Sequence, residues 1–541
     1  MRPRSNLGTR RLGADISSHG ACPRGSKTRT DEIQMNEFAT SGEDEEKPWH
    51  KRLPPVRLAG LIAGPIAFLL LMLGTGIEGL SPEGQAAAAI TVLMAIWWVT
   101  EAIPIYATAL VPIVLFPLTG VLAVGDTTSN YGHELIFLFL GGFLVAIAIQ
   151  KWGLHRRIAL AIVSLFGTEP TRLVLGFMVA TAFLSMWISN TASALMMVPI
   201  GLAVIGQLTR MLREQDSQID LRAGHFPFGM ALMLGIAYAA SVGGVATIIG
   251  SPPNAIFVGY VSQIHDVEIT FLQWMYYGLP ISMVGLLGVW FYLTRIAHPI
   301  HQVDFPGLGR VLDEERKTLG RLEGPEAKVL IVFCVVAGLW IFRGLLAPVL
   351  PAIGLGGLND TTIAIFGGLL LFLVPANLEE REFLLNWNDT SDVPWGILIL
   401  FGGGLALARG IEESGLASWL AEQLHTMEAA PILPVLGALV LLVIFLTEVT
   451  SNTSTASIFV PIVAILATVV GLHPYVMMVT VVTAASCAFM LPIATPPNAV
   501  VFASEYVTMR QMMRAGIWLN LSFAALITVV GYLWVPVVWG L

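Results

Sequence analysis

From position 58 onward, apolar residues fill the chain in blocks separated by short polar turns. Most blocks are about twenty residues long, enough for one helix to cross a bilayer. They lie near 58–80, 84–103, 104–124, 132–152, 224–262, 271–297, 326–348, 357–376, 393–411, 474–506 and 511–538. Two further blocks, 171–209 and 431–471, run to roughly twice the span of one helix and have polar residues at their centres. Polar turns at lipid depth are tolerated only where they face a cavity, so each of these blocks is predicted to be a re-entrant helical hairpin. A pair of ordinary spanning helices joined by a tight turn is the alternative. The fold expected is an all-α polytopic membrane protein with about eleven transmembrane helices and two re-entrant hairpins in an inverted repeat.

The repeat is read from the hairpin blocks outward. The first carries Ser189-Asn190-Thr191 and the second Ser451-Asn452-Thr453, small hydrogen-bonding residues that are costly in lipid unless something binds them. The offset from Asn190 to Asn452 is 262 residues, and it is again 262 from Gly153 to Gly415 and from Pro199 to Pro461. After Gly153-Leu154 come His155-Arg156-Arg157, whereas Gly415-Leu416 follows Glu412-Glu413 and precedes no bases. Basic residues favour the cytoplasmic side, so equivalent ends fall on opposite sides of the membrane. An inverted repeat with a site at the interface of its halves is the plan of many secondary transporters.

Composition supports this and adds boundaries. Of 541 residues, 55% are hydrophobic and only 12% charged, with a mean hydropathy of +0.75, which excludes a soluble protein. Cys22, Cys334 and Cys487 are scattered and form no disulfide or metal framework. Residues 1–57 are polar, lack a signal-peptide core and are expected to be a disordered cytoplasmic tail. Met35 is an alternative start, since 1–34 resembles no folded or targeting element. The first half spans 58–298 with an inward hairpin at 171–209. A cytoplasmic linker at 299–325 carries Arg310, Arg316, Lys317 and Arg321, and the second half spans 326–541 with an outward hairpin at 431–471. The N-terminus is placed in the cytoplasm.

A second duplicated motif follows each hairpin: Ile249-Gly250-Ser251-Pro252-Pro253-Asn254 and Ile493-Ala494-Thr495-Pro496-Pro497-Asn498. Tandem prolines break a helix, so Pro252, Pro253, Pro496 and Pro497 leave the preceding carbonyls bare. Bare carbonyls with hydroxyls suit Na⁺ better than a soft metal. The half-helix after each break points free N–H groups and its positive dipole end at the same place, which suits an anion.

These motifs, with Thr100-Glu101-Ala102-Ile103-Pro104, resemble those of the divalent anion/sodium symporter family over about residues 55–541. The resemblance implies a first sodium site from Ser185, Ser189, Asn190 and the Gly250 carbonyl, and a second from Thr447, Ser451, Asn452 and the Ala494 carbonyl. It implies substrate contacts from Asn190, Thr191, Ser251, Asn452, Thr453 and Thr495. It also implies a homodimer with elevator-type alternating access, in which spans 84–124 and 326–376 belong to the scaffold. The register supports these roles: Ser185 maps onto Thr447, a hydroxyl one helical turn before each triplet, although either hydroxyl is also able to bond its own helix.

Neither motif contains Lys or Arg. A dianion in a low-dielectric cavity needs compensating charge, and bound Na⁺ supplies it, which couples the two ligands. The expected function is sodium-coupled symport of C4-dicarboxylates such as succinate, malate or fumarate across a bacterial inner membrane. Na⁺ is the coupling ion, and no cofactor, nucleic acid or enzymatic activity is implied. A sodium-independent dicarboxylate or citrate exchanger, or a symporter of sulfate or another divalent anion, is the alternative. Of the remaining polar residues, Glu448 is expected to face an aqueous vestibule and Glu101 to orient the break at Pro104. His133 and Glu134 read as interfacial, Arg343 and Arg409 as snorkelling or pairing near span ends. Gly402-Gly403-Gly404 reads as a helix-packing face.

Overall fold

Tandem and single prolines decide where helices in this chain begin and where they fail. In the computed structural model, which describes residues 54–541 apart from 75, 215–219, 301–316, 347, 349 and 426–429, helices begin at Pro55–Leu73 (α1) and Pro82–Thr100 (α2), packed on each other. The second starts where Ser81 Oγ accepts from Gly84 N–H at 2.9 Å, with a proline in the first turn. The expectations for the tail up to residue 53, for Met35 and for the linker at 301–316, with Arg310 and Arg316, lie outside the described residues. The block 104–124, predicted as one span, is broken instead into two short helices, Ile105–Thr108 (α3) and Val111–Thr119 (α4), and Val124–Ser129 (α5) starts at its last residue. Pro104, Pro112 and Gly120 deny it the donors and propensity of a continuous helix.

The two halves then repeat element by element. The first comprises Glu134–Lys151 (α6), Leu154–Leu165 (α7), Pro170–Ser185 (α8), Asn190–Glu214 (α9), Pro227–Gly244 (α10), Pro252–His265 (α11) and Phe271–Phe291 (α12). Gly324–Leu346 (α13), Asp360–Leu373 (α14) and a small antiparallel pair, Pro375–Asn377 (β1) with Glu382–Phe383 (β2), stand at the start of the second half, between the two repeated sets. That pair is the one departure from an all-α fold among the described residues. The second half comprises Trp395–Glu413 (α15), Leu416–Gln423 (α16), Ile432–Thr447 (α17), Asn452–Val469 (α18), Pro474–Ala485 (α19), Pro496–Phe502 (α20) and Met509–Leu533 (α21), before the short Val535–Trp539 (α22).

The register of 262 survives as geometry. Gly153 (φ 72°) and Gly415 (φ 78°) both turn the chain through the left-handed region open to glycine. The first hairpin arms, α8 and α17, have 16 residues each. At roughly 24 Å they fall short of the ~30 Å hydrocarbon core. The chain reverses within 186–189 and 448–451, so both blocks are hairpins rather than pairs of full spans. Nine helices among the described residues are long and apolar enough to cross a membrane. They include the second arms α9 and α18, while Ile105–Thr119, Asp360–Leu373 and Pro474–Ala485 are shorter apolar helices.

The broken helices exchange partners between halves. α11 packs against α15, α18 and α19, whereas α20 packs against α9 and α10. Each half-helix that follows a break therefore lies on the opposite hairpin. α10 is the hub, with 94% of its apolar window buried, while only 11% of that of α1 is. Other expectations also resolve here. Gly402 and Gly403 press on Tyr131 and Ala109, as a packing face should. Arg343 pairs with Glu268 (2.7 Å) and Asp360 (2.9 Å), and Arg409 with Glu413 (2.7 Å). Glu101 ends α2 at φ 47° and pairs with Arg57.

Candidate functional site

At the first tip, the Ser185 hydroxyl is buried and has oxygen partners on two sides. It lies 2.6 Å from Asn190 Oδ1 and 2.7 Å from the Ala240 carbonyl of α10. The break between α10 and α11 closes the third side: a Cβ on Gly250 would sit 2.6 Å from Gly244 O and 2.9 Å from Ser185 O. If the Asn190 amide is turned over, its nitrogen donates to Gly250 O (3.1 Å), Ala240 O (3.2 Å) and Ser185 Oγ (2.6 Å). In that orientation the amide is satisfied, and the Ser185 hydroxyl, the Asn190 side chain and the Ala240 and Gly250 carbonyls meet at one point. Hydroxyl, amide and carbonyl oxygens in such a cluster are what a hard cation stabilises. Ser185, Asn190 and Gly250, three of the four expected ligands, are thus brought together. Ser189 is not: its exposed hydroxyl accepts from Ala192 N–H at 3.2 Å and caps α9.

The second tip repeats the first. Thr447 Oγ1 lies 2.6 Å from Asn452 Oδ1 and donates to Ala485 O at 3.0 Å. Ala494 is buried at the position equivalent to Gly250, and Ser451 is half-buried at the start of α18 without a side-chain cap bond. Both triplets open helices, α9 at Asn190 and α18 at Asn452, so free N–H groups and positive dipole ends face the tips.

Glu448 is not the vestibule-facing carboxylate that the sequence suggests. It is 3% exposed and accepts from Phe489, Met490 and Leu491 N–H (2.8, 2.9 and 2.9 Å) and from Asn520 Nδ2 (2.8 Å). Unwinding after α19 strips three successive N–H groups of helical acceptors, and this carboxylate replaces them. At the equivalent place in the first half stands Met186, and there the direction reverses: Thr247 Oγ1 donates to the Met186 carbonyl at 2.5 Å. Both tips are stapled to their breaks, by different chemistry.

Gly278 of α12 and Gly516 of α21 were also not legible from the motifs. A Cβ on Gly278 would strike Val245 O and stand 3.1 Å from Ala246 Cα, and one on Gly516 would strike Phe489 O and stand 2.6 Å from Met490 Cα. These are equivalent atoms of the two breaks. The signal lies in a separate register of 238, shared by the capping boxes Thr270/Gln273 and Thr508/Gln511 that start the two helices. Trp274 Nε1 also donates to Val245 O (2.9 Å), and Tyr238 OH to Phe489 O (2.8 Å).

The residues expected to touch substrate fall into two groups. Asn190, Thr191 and Asn452 are half-buried at the tips, while Thr453, Ser251 and Thr495 are buried. Ser251 Oγ lies 3.0 Å from Ser486 Oγ and joins the two breaks, and Thr495 Oγ1 caps α20 by accepting from Asn498 N–H at 3.3 Å. Pro252, Pro253, Pro496 and Pro497 open α11 and α20 as expected. The ion pairs of Lys151, Arg157, Arg343 and Arg409 lie at helix ends, away from both triplets.

The family model described as the sodium:sulfate symporter transmembrane region matches residues 56–541. The chain is 44% identical over 486 residues to the sodium-dependent dicarboxylate transporter SdcS of Staphylococcus saprophyticus, covering 90% of this chain and 92% of that one. It is 44% identical over 487 residues to SdcS of Staphylococcus aureus, with the same coverage. Among solved structures, the YdaH transporter of Alcanivorax borkumensis matches with a TM-score of 0.53 and 16% identity, over 83% of this chain and 99% of that one, a likeness of fold.

Proposed function

Because the chain belongs to the sodium:sulfate (divalent anion/sodium) symporter family, and is therefore a multi-pass secondary transporter, we propose that it couples Na⁺ to the uptake of C4-dicarboxylates such as succinate, malate or fumarate. The relatives named above are sodium-dependent dicarboxylate transporters, and the convergence of the Ser185 hydroxyl, the Asn190 amide and the Ala240 and Gly250 carbonyls carries the reading for this chain. Na⁺ at that cluster and at its copy around Thr447 and Asn452 supplies the positive charge that the triplets lack. A carboxylate then meets bound cations and the N-terminal N–H groups of α9 and α18. The hydroxyls and amides of Asn190, Thr191, Asn452 and Thr453 orient it, with Ser251 and Thr495 behind them and Ser189 and Ser451 at the helix starts. The protein works in a bacterial inner membrane with its N-terminus in the cytoplasm. It is a homodimer in which the hairpins move against a scaffold.

Uptake of labelled succinate into proteoliposomes, with and without an inward Na⁺ gradient, tests the reading. Uptake that follows the gradient is the expected result; uptake that needs only internal dicarboxylate would make the protein an exchanger. Competition by citrate and sulfate against succinate fixes the anion class. Asn190→Ala and Asn452→Ala are each expected to reduce uptake to background while the protein still inserts and purifies. Wild-type uptake in either would reduce the triplet to a packing role.

A further inference from the structure

The motifs that break the helices end in an asparagine, and in both halves that side chain makes the same bonds. Asn254 Nδ2 donates to Gly244 O (3.0 Å) and Thr247 O (2.8 Å). Asn498 Nδ2 donates to Ala488 O (3.1 Å) and Leu491 O (3.1 Å). All three positions of each set are related by one offset of 244. The chain is unwound between Gly244 and Ser251 and between Ala488 and Thr495, and in each break one amide bonds two of the unwound carbonyls at once. Each asparagine is wholly buried, and in each the Oδ1 has no hydrogen-bond partner. An unpaired buried acceptor costs about 1–3 kcal/mol, so the same orphan in two independent breaks is not a packing accident. The carbonyls are partners of the Nδ2, and no protein donor reaches the Oδ1. Gly244 also adjoins the first tip, since a Cβ there would lie 2.6 Å from the Asn190 amide and 2.8 Å from Gly250 O.

Resting on the sodium-coupled reading above, we propose that Asn254 and Asn498 are paired positioning residues for the two coupling-ion sites. Each amide nitrogen pins two carbonyls of its break, which fixes the loop that presents the Gly250 or Ala494 carbonyl to the ion. The amide oxygen stays free of protein donors. The proline pair opens each helix and the asparagine holds the opening at one width.

Full-length protein purified in detergent tests this by thermal melting, titrated with NaCl against choline chloride at constant ionic strength. Asn254→Leu and Asn498→Leu keep the volume and remove the amide; Thr181→Val, which removes a buried hydroxyl bonded only within α8, is the control. Wild type and Thr181→Val are expected to be stabilised by Na⁺ with the same half-saturating concentration. The asparagine variants are expected to melt cooperatively in choline yet need at least tenfold more Na⁺. If a leucine variant does not yield folded protein, Asn254→Asp and Asn498→Asp, which keep the oxygen and lose the donor pair, are titrated in the same way. Variants that melt lower in choline but keep the wild-type Na⁺ requirement would make the clamp purely structural. A wild-type protein that Na⁺ does not stabilise overturns the sodium reading itself, and the clamp with it.

Discussion

Ser185 and Thr447 make closely similar bonds with different side chains: each hydroxyl lies 2.6 Å from the amide of its triplet asparagine and bonds a carbonyl near the end of the helix after the hairpin, Ala240 of α10 or Ala485 of α19. What the position requires is therefore a hydroxyl. Thr447→Ser is expected to retain uptake, whereas Thr447→Val loses a hydrogen bond worth about 1 kcal/mol and a cation ligand. It should raise the Na⁺ concentration for half-maximal uptake, and an unchanged sodium requirement in Thr447→Val would place the hydroxyl outside the ion site. Glu448 differs in kind, because it is committed to three backbone N–H groups and Asn520. Glu448→Gln leaves one acceptor oxygen for donors that occupied two, and an orphaned buried N–H costs about 1–3 kcal/mol. Its melting temperature in detergent should fall below that of Glu413→Gln, a half-exposed carboxylate in an i,i+4 pair. Equal melting of the two would mean that the staple is dispensable.

Helices α12 and α21 approach the breaks at single glycines, and this closeness sets where the unwound carbonyls lie. Gly278→Ala would drive a methyl into Val245 O, and Gly516→Ala into Phe489 O, both backbone atoms that cannot give way without moving the break. Gly288→Ala, on the same face-rich helix α12 but with open space at its Cβ, gains helix propensity of up to about 1 kcal/mol. Uptake should collapse in the first two variants and persist in the third, as measured in proteoliposomes at equal protein content. Equal uptake in all three would show that the close approach is incidental. The hairpins and proline breaks were legible because each leaves a polar or helix-breaking signature in apolar sequence. The glycines were not, since one glycine in an apolar helix looks like any other until its neighbour is known. The block at 104–124 misled for a related reason: its apolar character predicted one span, while its prolines and Gly120 break it into short helices.

Across the molecule, the two sites are not independent. α11 rests on the second hairpin and α20 on the first, and Ser251 and Ser486 meet between the breaks at 3.0 Å. Under the proposed sodium reading, ordering one break by a bound cation would order elements that support the other, so binding at the two sites is expected to be mutually favourable. Uptake plotted against external Na⁺ at fixed succinate should be sigmoidal with a Hill coefficient above one. A hyperbolic dependence would argue that only one site is coupled to transport, or that the two are uncoupled.

The sequence alone determined what periodicity and punctuation encode: the apolar blocks, the two hairpins, the register of 262 between Asn190 and Asn452, and the proline breaks. These follow from local rules, because a bilayer demands long apolar helices and proline ends them wherever it stands. Which residues complete the site depended on contacts between segments far apart in the chain. The burial of Glu448 under residues 489–491, the approach of Gly516 to Phe489 and the meeting of Ser251 with Ser486 come from helices brought together only when the halves interlock. No local pattern of polarity carries that information, since the same side chain in the same apolar surroundings is a vestibule lining or a buried staple according to what packs against it.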